Sequence, residues 1–180
     1  MKQRERLEKG LIQIYTGNAK GKSTASFGLA VRASGHGLRV IIIQFMKTGT
    51  YYGEINGLKR LAPEVELYSY GRNGFVHRRG IAKEDIDVAH EALQHAEKAL
   101  LDPETDLLIL DEINNAIFYE LITVEEVLSL LDKKPENVEI VLTGRHAPPE
   151  LIKRAHLVTE MKEIKHPYKT GITSRKGIEY

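Results

Sequence analysis

The sequence predicts an α/β fold: a mostly parallel sheet of about six strands with helices on both faces. Three observations support this prediction. Short apolar runs of strand length recur along the 180 residues, and segments with helical spacing or loop composition separate them. Some of these runs are apolar at every position, which is typical of strands buried on both faces of a parallel sheet. The length also fits one domain with a complete hydrophobic core.

Six runs are predicted as strands, and two of them are expected at the centre of the sheet. Val40 to Ile43 and Leu107 to Leu110 contain no polar residue, so neither of their faces suits contact with water. The six predicted strands are residues 11–15, 39–45, 65–70, 107–110, 138–143 and 157–161.

Three helices are predicted between these strands. The first follows the first strand over residues 25–33, and Gly35 and Gly37 are expected to end it. The second spans residues 83–101, with Pro103 after its end and apolar residues at three- and four-residue spacing. The third spans residues 124–131. Thr123 and Glu126 have the spacing of a capping box at its start.

Composition excludes several classes of protein. The formal net charge is only +1, which gives no broad attraction to nucleic acids or membranes. The absence of cysteine excludes a disulfide scaffold, a thiolate zinc site and a cysteine nucleophile, and it is compatible with a reducing cytosol. Residues 1–9 lack the apolar stretch of a signal peptide, and no apolar run could span a membrane. We therefore expect a cytoplasmic protein, with an amino-terminal arm over residues 1–10 and a single domain over residues 11–180.

The segment between the first predicted strand and helix indicates polyphosphate binding. It reads Thr16-Gly17-Asn18-Ala19-Lys20-Gly21-Lys22-Ser23-Thr24. Small residues let backbone N–H groups converge on phosphate oxygens, while the lysine and serine reach phosphate and Mg²⁺. Only three residues separate Gly17 from Gly21, one fewer than in the usual motif, so Thr16 takes the place of the first glycine. An ordinary turn with a solvated lysine is the alternative, and the apolar flanks argue against it.

A second nucleotide signal is the acid pair Asp111 and Glu112, which follows an apolar strand. Ligands of open α/β sheets gather at the carboxyl ends of strands, so these carboxylates should lie near the phosphate loop, where Mg²⁺ needs oxygen ligands. The alternative is that Asp111 only caps a helix that begins near Asn114.

Residues 71–80 form a third segment of interest, a loop after a strand with glycines, three arginines and Phe75. A solvated surface loop whose phenylalanine enters the core explains it equally well. The seven histidines show no metal-binding spacing, and no nucleophile with a paired base can be identified. Covalent catalysis by the protein is not indicated.

In combination, these segments resemble the RecA-like type of ATP:corrinoid adenosyltransferase, which has a P-loop NTPase-like fold. The resemblance runs from about Leu11 to Tyr180, and in this family the shortened loop holds the nucleotide in reversed orientation. Its marks are Thr16 to Thr24, Arg32-Ala-Ser-Gly-His-Gly37, Gln44-Phe-Met-Lys47, Gly74-Phe75, Leu110-Asp-Glu112, Leu142-Thr-Gly-Arg145, Val158-Thr-Glu160, Lys165-His-Pro167 and Lys176-Gly-Ile-Glu-Tyr180.

The resemblance implies transfer of the 5′-deoxyadenosyl group of ATP to the cobalt(I) of a corrinoid, with release of triphosphate. It implies that Lys22, Ser23 and Glu112 are catalytic, and that Ser23 and Glu112, supported by Asp111, hold Mg²⁺. Residues 16–24 and Arg145 would bind ATP. Phe75 and His77, where the second position is usually tryptophan, would displace the lower axial ligand of the corrinoid.

The resemblance also implies a homodimer and a partner that donates electrons, a reductase or flavodoxin-like protein. Two other functions remain open from the residues. A P-loop kinase or ATPase would release or transfer phosphate, although the three-residue glycine gap argues against it. A non-catalytic corrinoid carrier would bind both substrates without turnover. Thymidine kinase begins similarly, but its zinc-binding cysteines have no counterpart here.

Overall fold

Six parallel strands form one sheet in the computed structural model, which describes residues 6–48, 52–72 and 80–180. Their spatial order is β3-β2-β4-β5-β1-β6, and every neighbouring pair is parallel. The strands are β1 (Ile12–Thr16), β2 (Val40–Phe45), β3 (Val65–Tyr70), β4 (Leu107–Asp111), β5 (Glu139–Thr143) and β6 (Leu157–Glu160). All six predicted strands are confirmed, with ends shifted by one residue or none.

The predicted helices are confirmed, and the structure adds short ones. Lys83–Leu101 matches its prediction, and Gly35 caps the helix that follows β1. The helices are α1 (Lys22–Ser34), α2 (Gly53–Leu58), α3 (Lys83–Leu101), α4 (Ile113–Phe118), α5 (Val124–Asp132) and α6 (Pro149–Arg154), with 3₁₀ turns at Lys59–Leu61 and Pro167–Thr170. We did not predict α2 and α6 because six residues are too few to show helical periodicity.

The core lies on both faces of the sheet. Along β4, Leu107 and Ile109 pack with Phe27 of α1 on one face, whereas Leu108 and Leu110 face the other side with Ala92 of α3. This alternation is what the two-fold period of a strand requires when both faces are covered. The prediction of helices on both faces is therefore confirmed.

The amino-terminal arm is held against the amino edge of the sheet over its described part, residues 6–10. The Nε of Arg6 donates to Asp106 Oδ1 over 2.7 Å, and the N–H of Gly10 donates to the carbonyl of Glu136 over 2.7 Å. A Cβ at Gly10 would lie 2.1 Å from the carbonyl oxygen of Val138, so only glycine fits. The loops after β1, β2, β4 and β5 meet at the opposite, carboxyl edge.

Within the described ranges, no helix combines the length and apolar character that a membrane crossing requires.

Candidate functional site

A cleft of about 700 Å³ opens at the carboxyl edge of the sheet. The phosphate loop, Glu112, Arg145 and the last residues of the sequence all line it, and Asp111 lies buried beside Glu112. Its lining residues are Asn18, Ala19, Lys20, Gly21, Lys22, Ser23, Thr24, Phe27, Lys47, Tyr52, Gly53, Glu54, Glu112, Asn115, Arg145, His166, Gly177, Ile178, Glu179 and Tyr180.

Two glycines give the phosphate loop its shape. Gly17 has φ 98° and Gly21 has φ 122°, values that residues with a Cβ rarely adopt. A Cβ at Gly17 would also lie 2.5 Å from the carbonyl oxygen of Met161, just after β6. The N–H of Ala19 donates to that same carbonyl over 3.0 Å. The loop is therefore fixed against the chain that follows β6.

Lys22 begins α1 and is nearly buried, with its ammonium over the loop. Its Nζ donates to the carbonyl of Ala19 over 2.7 Å. Burial lowers the pKa of Lys22, while the charges of Glu112 and Asp111 act in the opposite direction. Two members of the predicted ATP-binding set lie outside the cleft lining. Thr16 ends β1, where its hydroxyl accepts from the N–H of Ala147 over 3.3 Å, and Gly17 lies beside it.

Asp111 is fully buried at the end of β4, and both of its oxygens accept hydrogen bonds. The Thr143 hydroxyl donates to Oδ1 over 2.7 Å, while the Lys47 ammonium and Gln44 amide donate to Oδ2 over 2.7 Å and 3.1 Å. Burial by itself raises the pKa of Asp111, but the Lys47 charge and hydrogen bonds from Lys47, Ser23 and Thr143 lower it below its ordinary value. The Asp111 carboxylate is therefore held in a fixed position at the end of strand β4. The alternative role as a helix cap is not what the structure shows, because Glu112 occupies the N-cap position of α4.

Glu112 has a left-handed backbone, with φ 65° and ψ 17°, which is unusual for a residue with a long side chain. Its N–H donates to the Thr143 hydroxyl over 2.9 Å, and its carboxylate accepts from the Asn115 amide. Burial and the neighbouring Asp111 charge raise the pKa of Glu112. Strained backbone of this kind clusters at functional sites, and here it orients the carboxylate into the cleft.

The structure brings Ser23, Asp111 and Glu112 together, which are the three predicted metal ligands. A hydroxyl and two carboxylates are the hard oxygen donors that Mg²⁺ prefers. In the described part of the chain, no group of three or more histidine, aspartate or glutamate side chains forms a metal cage. Substrate oxygens would have to complete any coordination shell here.

Arg145, which the resemblance assigns to ATP binding, lines the cleft from the loop after β5. Gly144 before it has φ 129°, and the N–H of Arg145 donates to Asn115 Oδ1 over 2.9 Å. The next residue, His146, stacks on Phe118 with ring centroids 4.0 Å apart. The two residues predicted to contact the corrinoid, Phe75 and His77, lie outside the described residues.

Sequence reasoning missed a lysine and the carboxyl terminus as parts of the cleft. Lys47 follows β2 at the carboxyl edge, and that position was a signal we did not use. Lys176 to Tyr180 were among the marks of the family resemblance, but their residue types did not indicate a place in the cleft. Lys20 of the phosphate loop binds them, donating to the Ile178 carbonyl over 2.7 Å and to Glu179 Oε1 over 3.0 Å.

Comparisons with known proteins agree with this geometry. The family model for ATP:corrinoid adenosyltransferase BtuR/CobO/CobP matches residues 8–180. The chain is 37% identical over 173 residues to the corrinoid adenosyltransferase of Pseudomonas aeruginosa, covering 96% of this chain and 85% of that protein. It is 34% identical to the corrinoid adenosyltransferase of Escherichia coli K12, covering 96% of this chain and 87% of that protein.

A solved structure supports the fold alone. The RadB recombinase aligns with a TM-score of 0.53 at 15% sequence identity, covering 89% of this chain and 78% of that chain. This likeness confirms the predicted RecA-like, P-loop NTPase fold.

Proposed function

This chain belongs to the ATP:corrinoid adenosyltransferase family, and from that premise we propose that its cleft transfers the 5′-deoxyadenosyl group of ATP to the cobalt(I) of a corrinoid. The bond between the ribose 5′-carbon and the innermost phosphate oxygen breaks, and a cobalt–carbon bond forms. Cobalt(I) supplies the electron pair of the new bond, while the electron pair of the broken bond leaves with triphosphate. The reaction belongs to cobalamin biosynthesis or salvage.

The observation that carries this proposal is the arrangement of the phosphate loop opposite the acid pair in one cleft. Lys22, Ser23 and Glu112 all line that cleft, which is large enough for a nucleotide. The short loop is fixed against the chain after β6 by a hydrogen bond and a close approach at Gly17. This fixed geometry favours a single orientation of the triphosphate.

The protein's chemical task in this reaction is alignment and charge stabilisation. Cobalt(I) is itself the nucleophile, so no side chain has to be activated to attack. Negative charge grows on the departing triphosphate, and the Lys22 ammonium with the loop N–H groups is preorganised to stabilise it. The lowered pKa of Lys22 reflects a buried cation that gains from an arriving anion. Arg145 extends the same positive surface along the cleft.

The donor set at the base of the cleft fits Mg²⁺. Ser23 and Glu112 would hold the ion with Asp111 in support, since all three offer oxygen atoms at the same place. When bound there, Mg²⁺ supplies positive charge to the triphosphate. Glu112 must be ionised for this role, and its raised pKa makes it the first of the two acids to take up a proton.

The corrinoid end of the site remains a proposal based on the family. We assign Phe75 and His77 to the displacement of the lower axial ligand, which makes cobalt(II) easier to reduce. We also propose a cytoplasmic homodimer that receives electrons from a reductase or flavodoxin-like protein. The absence of cysteine is compatible with a reducing compartment.

Identification of the phosphorus product tests this function most directly. The purified protein is given ATP, Mg²⁺ and chemically reduced cobalamin, and phosphorus NMR follows the products while absorbance follows cobalt alkylation. We expect inorganic triphosphate together with a light-sensitive alkylcobalamin. The Lys22→Ala variant, purified in the same way, reports any contaminating activity.

Other products would identify the rival functions. ADP with orthophosphate would show a kinase or ATPase and contradict adenosyl transfer. Binding of both substrates without any product would instead show a carrier.

A further inference from the structure

We infer that Lys47 is a built-in cation of the metal site, which holds Asp111 until a metal–nucleotide complex replaces it. This inference rests on the proposed function. The Lys47 ammonium lies 2.7 Å from Asp111 Oδ2 and 3.5 Å from the Ser23 hydroxyl. Those are two of the three groups assigned to Mg²⁺. A divalent cation and the ammonium therefore compete for the same oxygen atoms.

The backbone around Lys47 is shaped to hold it there. Met46 has φ 59°, a left-handed value that costs energy for a residue with a side chain. Gly71 packs directly on this turn, since a Cβ there would lie 2.6 Å from the backbone nitrogen of Lys47 and 2.7 Å from its carbonyl oxygen. The turn after β2 is thus fixed by strain and by contact, and it directs the lysine toward Asp111.

The surroundings of the ammonium are acidic. Its side chain is only 14% exposed, and its charge interacts favourably with Asp111, Glu112 and Glu54. The Tyr52 ring centroid lies 5.5 Å from Nζ. Burial by itself lowers the pKa of Lys47, but the carboxylates outweigh it and raise the pKa. The lysine thus neutralises part of a charge that would otherwise attract free metal ions.

A lysine side chain is suited to a pair with Asp111 that breaks when another cation arrives. Its ammonium is a point charge on a flexible stem, whereas the planar guanidinium of arginine forms a fixed fork. Lys47 lines the same cleft as the phosphate loop, so the displaced ammonium faces the phosphates of the incoming nucleotide. Metal alone must overcome the ammonium's repulsion, whereas metal bound to polyphosphate brings the negative charge that offsets it. Lys47 therefore makes the site select Mg²⁺–ATP over free Mg²⁺.

Titration with Mn²⁺ alone, followed by electron paramagnetic resonance, tests this role without any turnover. We expect Lys47→Met to lower the Mn²⁺ dissociation constant at least about tenfold relative to the unmodified protein. Lys133→Met is the matched control, because it also removes one positive charge from a lysine–carboxylate pair, but that lysine pairs with Glu97 outside the cleft lining. Its Mn²⁺ affinity should change by less than about threefold.

An unchanged Mn²⁺ affinity in folded Lys47→Met, or equal changes in both variants, would overturn the inference. A second measurement on the unmodified protein does not depend on folding of a variant. The ¹⁵N NMR signal of the Lys47 ammonium should shift when Mg²⁺–ATP saturates the protein and stay in place with Mg²⁺ alone. If Mg²⁺–ATP leaves this signal in place, Lys47 stays paired with Asp111 in the nucleotide complex, and the inference is wrong. Neither result depends on which phosphorus product the enzyme releases.

Discussion

Two buried aspartates lie at opposite ends of strand β4, Asp106 just before it and Asp111 as its last residue, and each is paired with a cation. At the amino edge, Asp106 accepts from Arg6 Nε over 2.7 Å and from the Arg39 N–H over 2.8 Å. At the carboxyl edge, Asp111 accepts from the Lys47 ammonium over 2.7 Å. Both residues are 0% exposed. Burial and pairing alone do not distinguish them.

The difference lies in what surrounds each cation. Arg6 also donates to the backbone carbonyls of Pro103 and Thr105, so its fork is shared among fixed acceptors. Lys47 instead faces a cleft that a nucleotide could fill. A functional carboxylate is therefore identified by a partner cation that faces the cleft and can be exchanged, and not by burial. The same contrast applies to lysines, since Lys22 lines the cleft whereas Lys134 donates to backbone carbonyls at the amino edge.

The largest expected effect is at Lys22. Lys22→Ala should lower turnover by about 1,000-fold, because it removes the buried cation opposite the departing triphosphate. Lys134→Ala should leave turnover within about twofold and lower the free energy of unfolding by about 1 kcal/mol, since it removes hydrogen bonds to partly buried backbone carbonyls. Rates of alkylcobalamin formation and urea unfolding measure the two effects. Equal losses of turnover in both variants would show that the lysines at the carboxyl and amino edges of the sheet do not differ in function.

Substitution of the two aspartates should also affect turnover at the carboxyl edge and stability at the amino edge, with a smaller loss of turnover than Lys22→Ala. Asp111→Asn should lower turnover by about 100-fold, because the carboxylate that supports the metal and pairs with Lys47 is lost. Asp106→Asn should destabilise the protein and leave the turnover of the folded fraction within about twofold. Activity assays normalised to folded protein measure both. Full activity in Asp111→Asn would contradict its role in the site.

Removal of the Arg6 guanidinium tests whether the pair at the amino edge stabilises the fold. Arg6→Ala should lower the free energy of unfolding by about 3 kcal/mol, because Asp106 stays buried without its guanidinium. Arg6→Lys should recover only part of the loss, since an ammonium cannot form the same fork. Chemical denaturation measures both variants. If Arg6→Ala unfolds like the unmodified protein, the arm is not held by this pair.

The smallest effect concerns the pH range over which the carboxyl terminus is tied to the phosphate loop. Hydrogen bonds from Arg175 and Lys20 lower the pKa of Glu179 from 4.5 to about 2. A lowered pKa means that the stabilisation is complete above the ordinary value and is lost as pH falls through about 2. Titration of the Glu179 carboxyl carbon by NMR should therefore show a midpoint well below 4.5. A midpoint at the ordinary value would mean that the tie does not exist in solution.

Much of the fold could be predicted because the apolar periods of strands and helices are visible in short stretches of sequence. The apolar runs of β2 and β4 and the capping box of Thr123 and Glu126 each need only a short window of sequence. The box is present, with the Glu126 N–H donating to the Thr123 hydroxyl over 3.2 Å. The short helix α2 carried too few residues to show a period, and the two site residues Phe75 and His77 lie where the structure gives no test.

The sequence by itself determined the parallel sheet, the shortened phosphate loop and the acid pair, because each depends on residues that are neighbours along the chain. Which cations pair with which acids follows from the folded arrangement of the strands. Lys47 reaches Asp111 from 64 residues away, and Lys20 reaches Ile178 from 158 residues away. Such pairings depend on the strand order, which brings the ends of separate strands to one edge, and no local pattern specifies that order.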